Sequence, residues 1–162
     1  METVEIKTKA LESWRFQGLL LMNNFKFTLV SKKTNTRFTF RVKAWSDNNY
    51  KDKKSYTVAV LTGPDNNTCY ETIGYIHKEE RKLMQFHHAK RNKRITTEAP
   101  SYKAFVWLFV NMKHEQILDK CVLIYNSGKC AKCGRTLTDP ESIERGLGSE
   151  CFTYLKFKRN EQ

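Results

Sequence analysis

Apolar and polar residues alternate along two neighbouring stretches of the chain. From Phe25 to Ser31, Phe25, Phe27 and Leu29 fall on one parity, and Lys26 and Thr28 on the other. From Arg37 to Lys43, Phe38, Phe40 and Val42 alternate with Arg37, Thr39, Arg41 and Lys43. A period of two is the signature of a strand with one buried face. The intervening Lys32-Lys33-Thr34-Asn35-Thr36 reads as a turn, so the pair predicts a hairpin with one aromatic face and one basic face. A second hairpin is predicted from the apolar run Tyr56 to Leu61, the turn composition Gly63-Pro64-Asp65-Asn66-Asn67 and the return Cys69 to Ile76. Residues 46–55, between the hairpins, are polar and read as a loop. The period changes after Glu98-Ala99-Pro100-Ser101, where Tyr102, Phe105, Val106, Phe109 and Met112 recur at helical spacing, widened by Trp107 and Leu108. Ser101 is the predicted N-cap, and Lys113 and His114 suit the helix C-terminus. A last apolar run, Cys121 to Tyr125, predicts one more strand. The fold class expected is α+β: an antiparallel sheet of hairpins covered by one packed helix.

The stretch after that strand carries the candidate chemistry. Cys130 and Cys133 form a Cys-x-x-Cys pair followed by Gly134, the form of a zinc knuckle, in which a tight turn brings two thiolates and two backbone N–H groups to one metal. Gly134 suits the sharp turn after the second sulfur. Thr138-Asp139-Pro140-Glu141 has the form of a capping box that opens a short helix, Gly146 and Gly148 end it, and Cys151 closes the stretch. A tetrahedral structural zinc takes four ligands. Cys121, nine residues before Cys130, is the nearest thiol to serve as the fourth, giving the set Cys121, Cys130, Cys133 and Cys151. A redox pair and ordinary thiols are the competing readings. A redox pair stands directly at a helix N-terminus, whereas here Gly-Arg follows and the helix lies several residues on. A catalytic zinc would need histidine or carboxylate ligands in a pattern the sequence lacks.

The string Cys-x-x-Cys-Gly-Arg-x-Leu-Thr-x-Pro-x-Ser-Ile-x-x-Gly-x-Gly-x-x-Cys resembles the C-terminal motif of a family of small, uncharacterised proteins of bacteriophages and mobile elements. Upstream stretches, FKFTLVSKKTNTRFTFRVK, VAVLTGPDNNTCYETIGYI and SYKAFVWLF, are similar to the same family, so the resemblance spans most of residues 25–151. Two departures stand out. The family often has histidine where this chain has Asn126, and it commonly reads Gly-Ile-Gly-Pro where this chain has Gly146-Leu147-Gly148-Ser149. The resemblance implies a phage origin, with the cytoplasm of the infected host as its location, and a zinc site. It implies no biochemical activity.

Charge extends the picture. With 29 Lys and Arg against 17 Asp and Glu, the net charge is +12. That balance favours contact with a polyanion, although a basic surface also serves solubility or docking to an acidic protein. The candidate binding residues are Arg37, Arg41 and Lys43 on the hairpin face, Arg81, Lys82, Lys90, Arg91, Lys93 and Arg94 in the basic stretch 77–94, read as a loop, and Lys132 and Arg135 in the knuckle. Exposed rings such as Trp45 or Tyr50 would stack on bases. The alternative reading of the hairpin is a wet sheet face opposite an aromatic core. His87 and His88, being adjacent, diverge on any regular element and are not read as metal ligands, and Cys69 is read as a small buried residue. Hydrophobic content of 40% supports a packed core, no apolar run reaches the length of a membrane span, and an odd count of five cysteines suits a reducing cytoplasm.

The chain divides into an arm (1–23) whose apolar part packs on the sheet, a sheet-plus-helix body (24–120), a treble-clef-like zinc module (121–155) and a basic tail (156–162). No nucleophile–base pair, paired carboxylates or phosphate-binding glycine loop is visible, which favours a non-enzyme. The leading function is a zinc-binding phage accessory protein that binds nucleic acid. The alternatives are an inhibitor of a host defence system or nuclease acting through protein contact, and a zinc-associated nuclease.

Overall fold

The computed structural model describes residues 10–45, 53–64 and 68–160, without the side chains of residues 53 and 155–160. Tyr50 and the turn residues 65–67 lie outside the described residues, as do residues 1–9 of the arm and the last two of the tail. The strands are β1 (Asn24–Ser31), β2 (Arg37–Ala44), β3 (Lys53–Leu61), β4 (Tyr70–Glu79), β5 (Gln85–His88) and β6 (Val122–Asn126). They form one six-stranded antiparallel sheet in the order β5-β4-β3-β2-β1-β6.

Both predicted hairpins form, and the β1–β2 register sets Phe25 opposite Val42, Phe27 opposite Phe40 and Leu29 opposite Phe38. Phe25, Phe27, Phe40 and Val42 are fully buried. Rings continue the packing from Phe16 to Phe27 (5.1 Å between centroids), Phe27 to Phe40 (5.6 Å), Phe40 to Phe105 (5.3 Å) and Phe105 to Phe86 (4.9 Å). Tilted aromatic pairs at such spacing contribute about 0.5–1.5 kcal/mol each beyond the area they bury.

Three helices, rather than one, cover this face: α1 (Ser13–Leu20), α2 (Pro100–Asn111) and α3 (Glu115–Cys121). Phe16, Leu19 and Leu20 of α1, Phe105 and Leu108 of α2, and Leu118 of α3 are buried in one cluster with the strands. The apolar part of the arm therefore packs on the sheet as a helix. α2 starts two residues earlier than expected: Ala99 is the N-cap, Pro100 occupies the first turn, and Ser101 is buried inside the helix.

Two further differences have a tertiary cause. The basic stretch 77–94 is not one loop, because β4 runs on to Glu79 and β5 adds an edge strand over Gln85–His88. Only four residues of β5 pair with β4, too few for periodicity to show. Cys121 is the last residue of α3 rather than the first of the strand. β4 also contains a bulge: Val58 opposes Gly74 and Ala59 opposes Thr72, leaving Ile73 as the extra residue. Ile73 turns into the core, fully buried, and inverts the phase of β4 on its Tyr70 side.

Candidate metal centre and open sheet face

The C-terminal module begins where β6 ends. Gly128 (φ 79°) and Gly134 (φ 78°) lie in the left-handed region that only glycine enters without cost. They allow a miniature hairpin in which Leu137 N–H donates to Gly128 C=O (2.8 Å), Cys130 N–H to Arg135 C=O (2.9 Å) and Gly134 N–H to Cys130 C=O (2.8 Å). The short helix α4 (Pro140–Arg145) follows. Its N-cap is Asp139, one residue later than the capping box suggested, because the Asp139 carboxylate accepts Ser142 N–H at 3.0 Å. The Ser142 hydroxyl and then the Ser142 N–H hold the Asp139 carboxyl below the usual carboxylate range. Gly146 (φ 73°) closes α4 in the left-handed conformation, and α5 (Ser149–Asn160) carries Cys151 in its first turn.

This turn–helix–turn path brings three sulfurs together. The Sγ atoms of Cys130, Cys133 and Cys151 all lie within 4.8 Å of one another. Three thiolates about 2.3 Å from one tetrahedral zinc would stand about 3.8 Å apart, so a small contraction closes the cluster on an ion. Cys130 is fully buried, Cys151 half-buried and Cys133 exposed. Burial would raise the Cys130 thiol, but backbone N–H groups of Cys133, Gly148 and Lys132 donate to its sulfur and bring it down to about 7. Burial, then the sulfurs of Cys133 and Cys130, push Cys151 up to about 11. Three crowded thiols, one of them stabilised as thiolate, form a donor set that can hold a metal ion.

Cys121 is not part of the cluster. Its carbonyl accepts Lys32 N–H (3.0 Å) beside the Ser31 end of β1, whereas the knuckle docks at the Asn24 end, where Asn24 N–H donates to Ala131 C=O (2.7 Å). The seven-residue rise of β1 separates these ends by about 20 Å. All five cysteines and four histidines of the chain are described, and no fourth joins the three sulfurs within 4.8 Å. Asn126 is also spent: its amide donates to Ile143 C=O (3.1 Å) and accepts Gly128 N–H (3.1 Å).

The module shares the core of the body. Cys130, Ala131, Leu137 and Leu147 are buried in the same apolar cluster as α1 and the sheet. Gly146 fits against Leu19 so closely that a Cβ would stand 2.9 Å from its Cδ1.

The second feature is the sheet face opposite the helices, whose outward residues, Val30 and Ala59 apart, are half-buried or exposed. Arg37, Arg41 and Lys43 stand there at alternate positions of β2, with Lys26 directly opposite Arg41. The Arg41 guanidinium lies 4.6 Å from the Tyr70 ring centre, and Lys26 Nζ lies 5.5 Å from it. Burial pushes the Tyr70 hydroxyl up, partly offset by Arg41. Further along the same face, exposed Trp45 meets Tyr75 (6.0 Å) and His77 (5.9 Å), and His77 meets His87 (5.6 Å). His77 Nδ1 bonds Ser55 Oγ (2.8 Å). His88 points the other way, edge-on to Tyr102 at 5.0 Å, so the two adjacent histidines diverge. Lys26, Tyr70 and Tyr75 were not among the residues singled out from sequence. Lys26 was legible from the β1 alternation, whereas the two tyrosines, an odd number of residues apart, share a face only because of the bulge.

The remaining candidate cations lie off the strands that carry this group. Lys82 pairs with Glu79 (2.7 Å) and Arg94 with Glu71 (2.9 Å). Arg81 sits in the β4–β5 turn with φ 63°, and Lys90, Arg91 and Lys93 are exposed on the segment after β5. Lys132 lies 3.7 Å from the Tyr154 ring centre and Arg135 is exposed, both in the module beside β1 and β6. Edge strands β5 and β6 are five strand spacings apart, about 24 Å. Cys69 is half-buried beside Gly63, where a Cβ would stand 2.8 Å from its sulfur. No helix among the described residues is long and apolar enough to cross a membrane.

Comparison with known families matches residues 125–155, the end of β6 through the first half of α5, to DUF6011, a family of unknown function. The match covers the cysteine module and, of the sheet, only the last two residues of β6. No curated protein and no solved structure matches the chain.

Proposed function

We propose that the protein is a small zinc-binding accessory protein, of phage or mobile-element origin, that binds single-stranded nucleic acid without catalysis. The observation that carries this reading is the sheet face opposite the helices: four cations, Lys26, Arg37, Arg41 and Lys43, share it with the rings of Tyr70, Tyr75 and Trp45, and Lys26 and Arg41 lie over Tyr70. Between Tyr70 and His77 on β4, and on the outward positions of β1, β2 and β6, that face carries no Asp or Glu. Cations track a phosphate backbone while ring faces accept bases of any sequence, the combination used by single-strand platforms. A shallow sheet favours a single strand over a duplex, because rings can stack only on bases that are free of a partner strand.

In this reading zinc is structural, held by the three thiolates with its fourth tetrahedral position left to a donor from outside the cluster. Three thiolates select a soft divalent ion, and zinc is the available one with tetrahedral thiolate preference. Bound there, it clamps the turn at Cys130 to the first turn of α5 and holds the module against β1 and α1. The test is fluorescence anisotropy of a labelled single-stranded oligonucleotide with the zinc-loaded protein at about 50 mM salt, where phosphate contacts are strongest. Saturable, sequence-indifferent binding supports the proposal. No binding to DNA or RNA, single- or double-stranded, removes it and leaves a protein partner for the basic surface.

A further inference from the structure

On the helix side of the sheet, at the end opposite the metal module, a cavity of about 600 Å³ opens between the β1–β2 turn, the start of α2 and the α3–β6 junction. That volume is in the range of small-molecule sites. Its walls are Leu29, Phe38, Ala104, Trp107, Cys121 and Val122. Its mouth carries four lysines, Lys32 and Lys33 from the turn, Lys103 from α2 and Lys120 from α3. We propose that this pocket binds an amphiphilic monoanion, a medium- to long-chain carboxylate, with the chain against the apolar walls and the carboxylate among the lysines.

The interior selects an alkyl body over a nucleobase. A base edge needs several free donors and acceptors, and the few hydroxyls lining the pocket are partly committed to one another and to the turn backbone. Ser31 Oγ accepts Thr34 N–H (3.3 Å), and the Thr34 and Thr36 hydroxyls bond each other (2.9 Å). The walls thus reward burial of CH₂ groups, at about 0.8 kcal/mol each when fully buried, and offer little to a polar ring. The mouth selects an anion. Lys103 is balanced by Glu98 (3.1 Å), and the Lys32 ammonium reaches the Asp119 carbonyl. The Asp119 carboxylate is engaged by the Ser13 hydroxyl. Lys33 and Lys120 have no acidic partner at ion-pair distance among the described residues. Two uncompensated ammonium groups beside an apolar cavity complement one carboxylate and repel a cationic amphiphile. The site is framed by rigid elements, since Lys32 N–H donates to Cys121 C=O (3.0 Å) and Ser31 pairs with Val122.

The test is calorimetric titration of the full chain with dodecanoate below its micelle concentration, with dodecan-1-ol and AMP as comparators. The expected result is saturable 1:1 binding of dodecanoate, weaker binding of the alcohol and none of AMP. Lys33→Glu combined with Lys120→Glu, both exposed, should weaken dodecanoate about tenfold or more while leaving the alcohol unchanged, the scale expected for reversing two solvent-screened charges. Ala104→Phe, filling the pocket from a half-buried helix position, should abolish binding with the far-UV circular dichroism spectrum intact. Absence of saturable binding overturns the proposal, as does dodecanoate binding indifferent to both variants. AMP binding tighter than dodecanoate would assign the pocket to a nucleotide instead. Binding that appears only after residues 1–9 are removed would assign it to the chain's own N-terminal segment.

Discussion

Paired neutralisation of Arg37 and Arg41 gives the sharpest test of the open face. In single-strand binding each neutralised phosphate contributes about 0.7 to the slope of log affinity against log salt. If Lys26, Arg37, Arg41 and Lys43 each hold one phosphate, the slope is about −2.8, and affinity falls about 50-fold between 50 and 200 mM salt. Removing two of the four contacts halves the slope to about −1.4, and the same salt change then costs about sevenfold. Arg37→Gln with Arg41→Gln makes this change at outward positions of β2, leaving Phe38, Phe40 and Val42 buried on the other face. The Arg41 substitution also removes the stacking on Tyr70, worth about 0.5–1 kcal/mol at an exposed site, too little to unfold the sheet. Anisotropy titrations at four or more salt concentrations measure both slopes. A double variant with the parent's slope would refute phosphate tracking by β2. If Lys90→Glu, Arg91→Glu and Lys93→Glu lower the slope instead, the contact belongs to the segment after β5.

Elemental analysis should find one zinc per chain, Cys133→Ser should lose it, and Cys121→Ser should retain it in full; loss of zinc in Cys121→Ser would contradict the separation of that residue from the cluster. Gly146→Ala combines left-handed backbone with contact against Leu19, so a loss of about 1–2 kcal/mol is expected from conformation alone, with more from the contact. Calorimetry should read this as a Tm lowered by several degrees, and an unchanged Tm would mean the module does not pack on α1. Phe40→Ala empties the centre of the ring cluster, and urea unfolding should show a loss of about 3–5 kcal/mol.

The β1–β2 hairpin, its two faces and the knuckle cysteines are legible in the residues alone because their determinants are local. Alternation assigns Phe27 and Phe40 to the core, and a Cys-x-x-Cys-Gly turn converges its two sulfurs whatever surrounds it. Cys151 is nearly as legible, since the glycines after α4 turn the chain back toward the pair. The fourth ligand was not. Cys121 is near Cys130 in sequence, yet β6 intervenes as an extended rod and carries the two to opposite ends of the sheet. The aromatic half of the open face was hidden for a different reason. One extra residue, Ile73, reverses the parity of β4, so Tyr70 and Tyr75 come to one face although their spacing assigns them to two. β5 exists only because β4 offers it an edge, and the pocket only because a turn, a helix start and a helix end meet there. Pattern along the chain decides which side of an element is apolar; which elements meet, and in what register, is decided by packing between segments far apart in sequence.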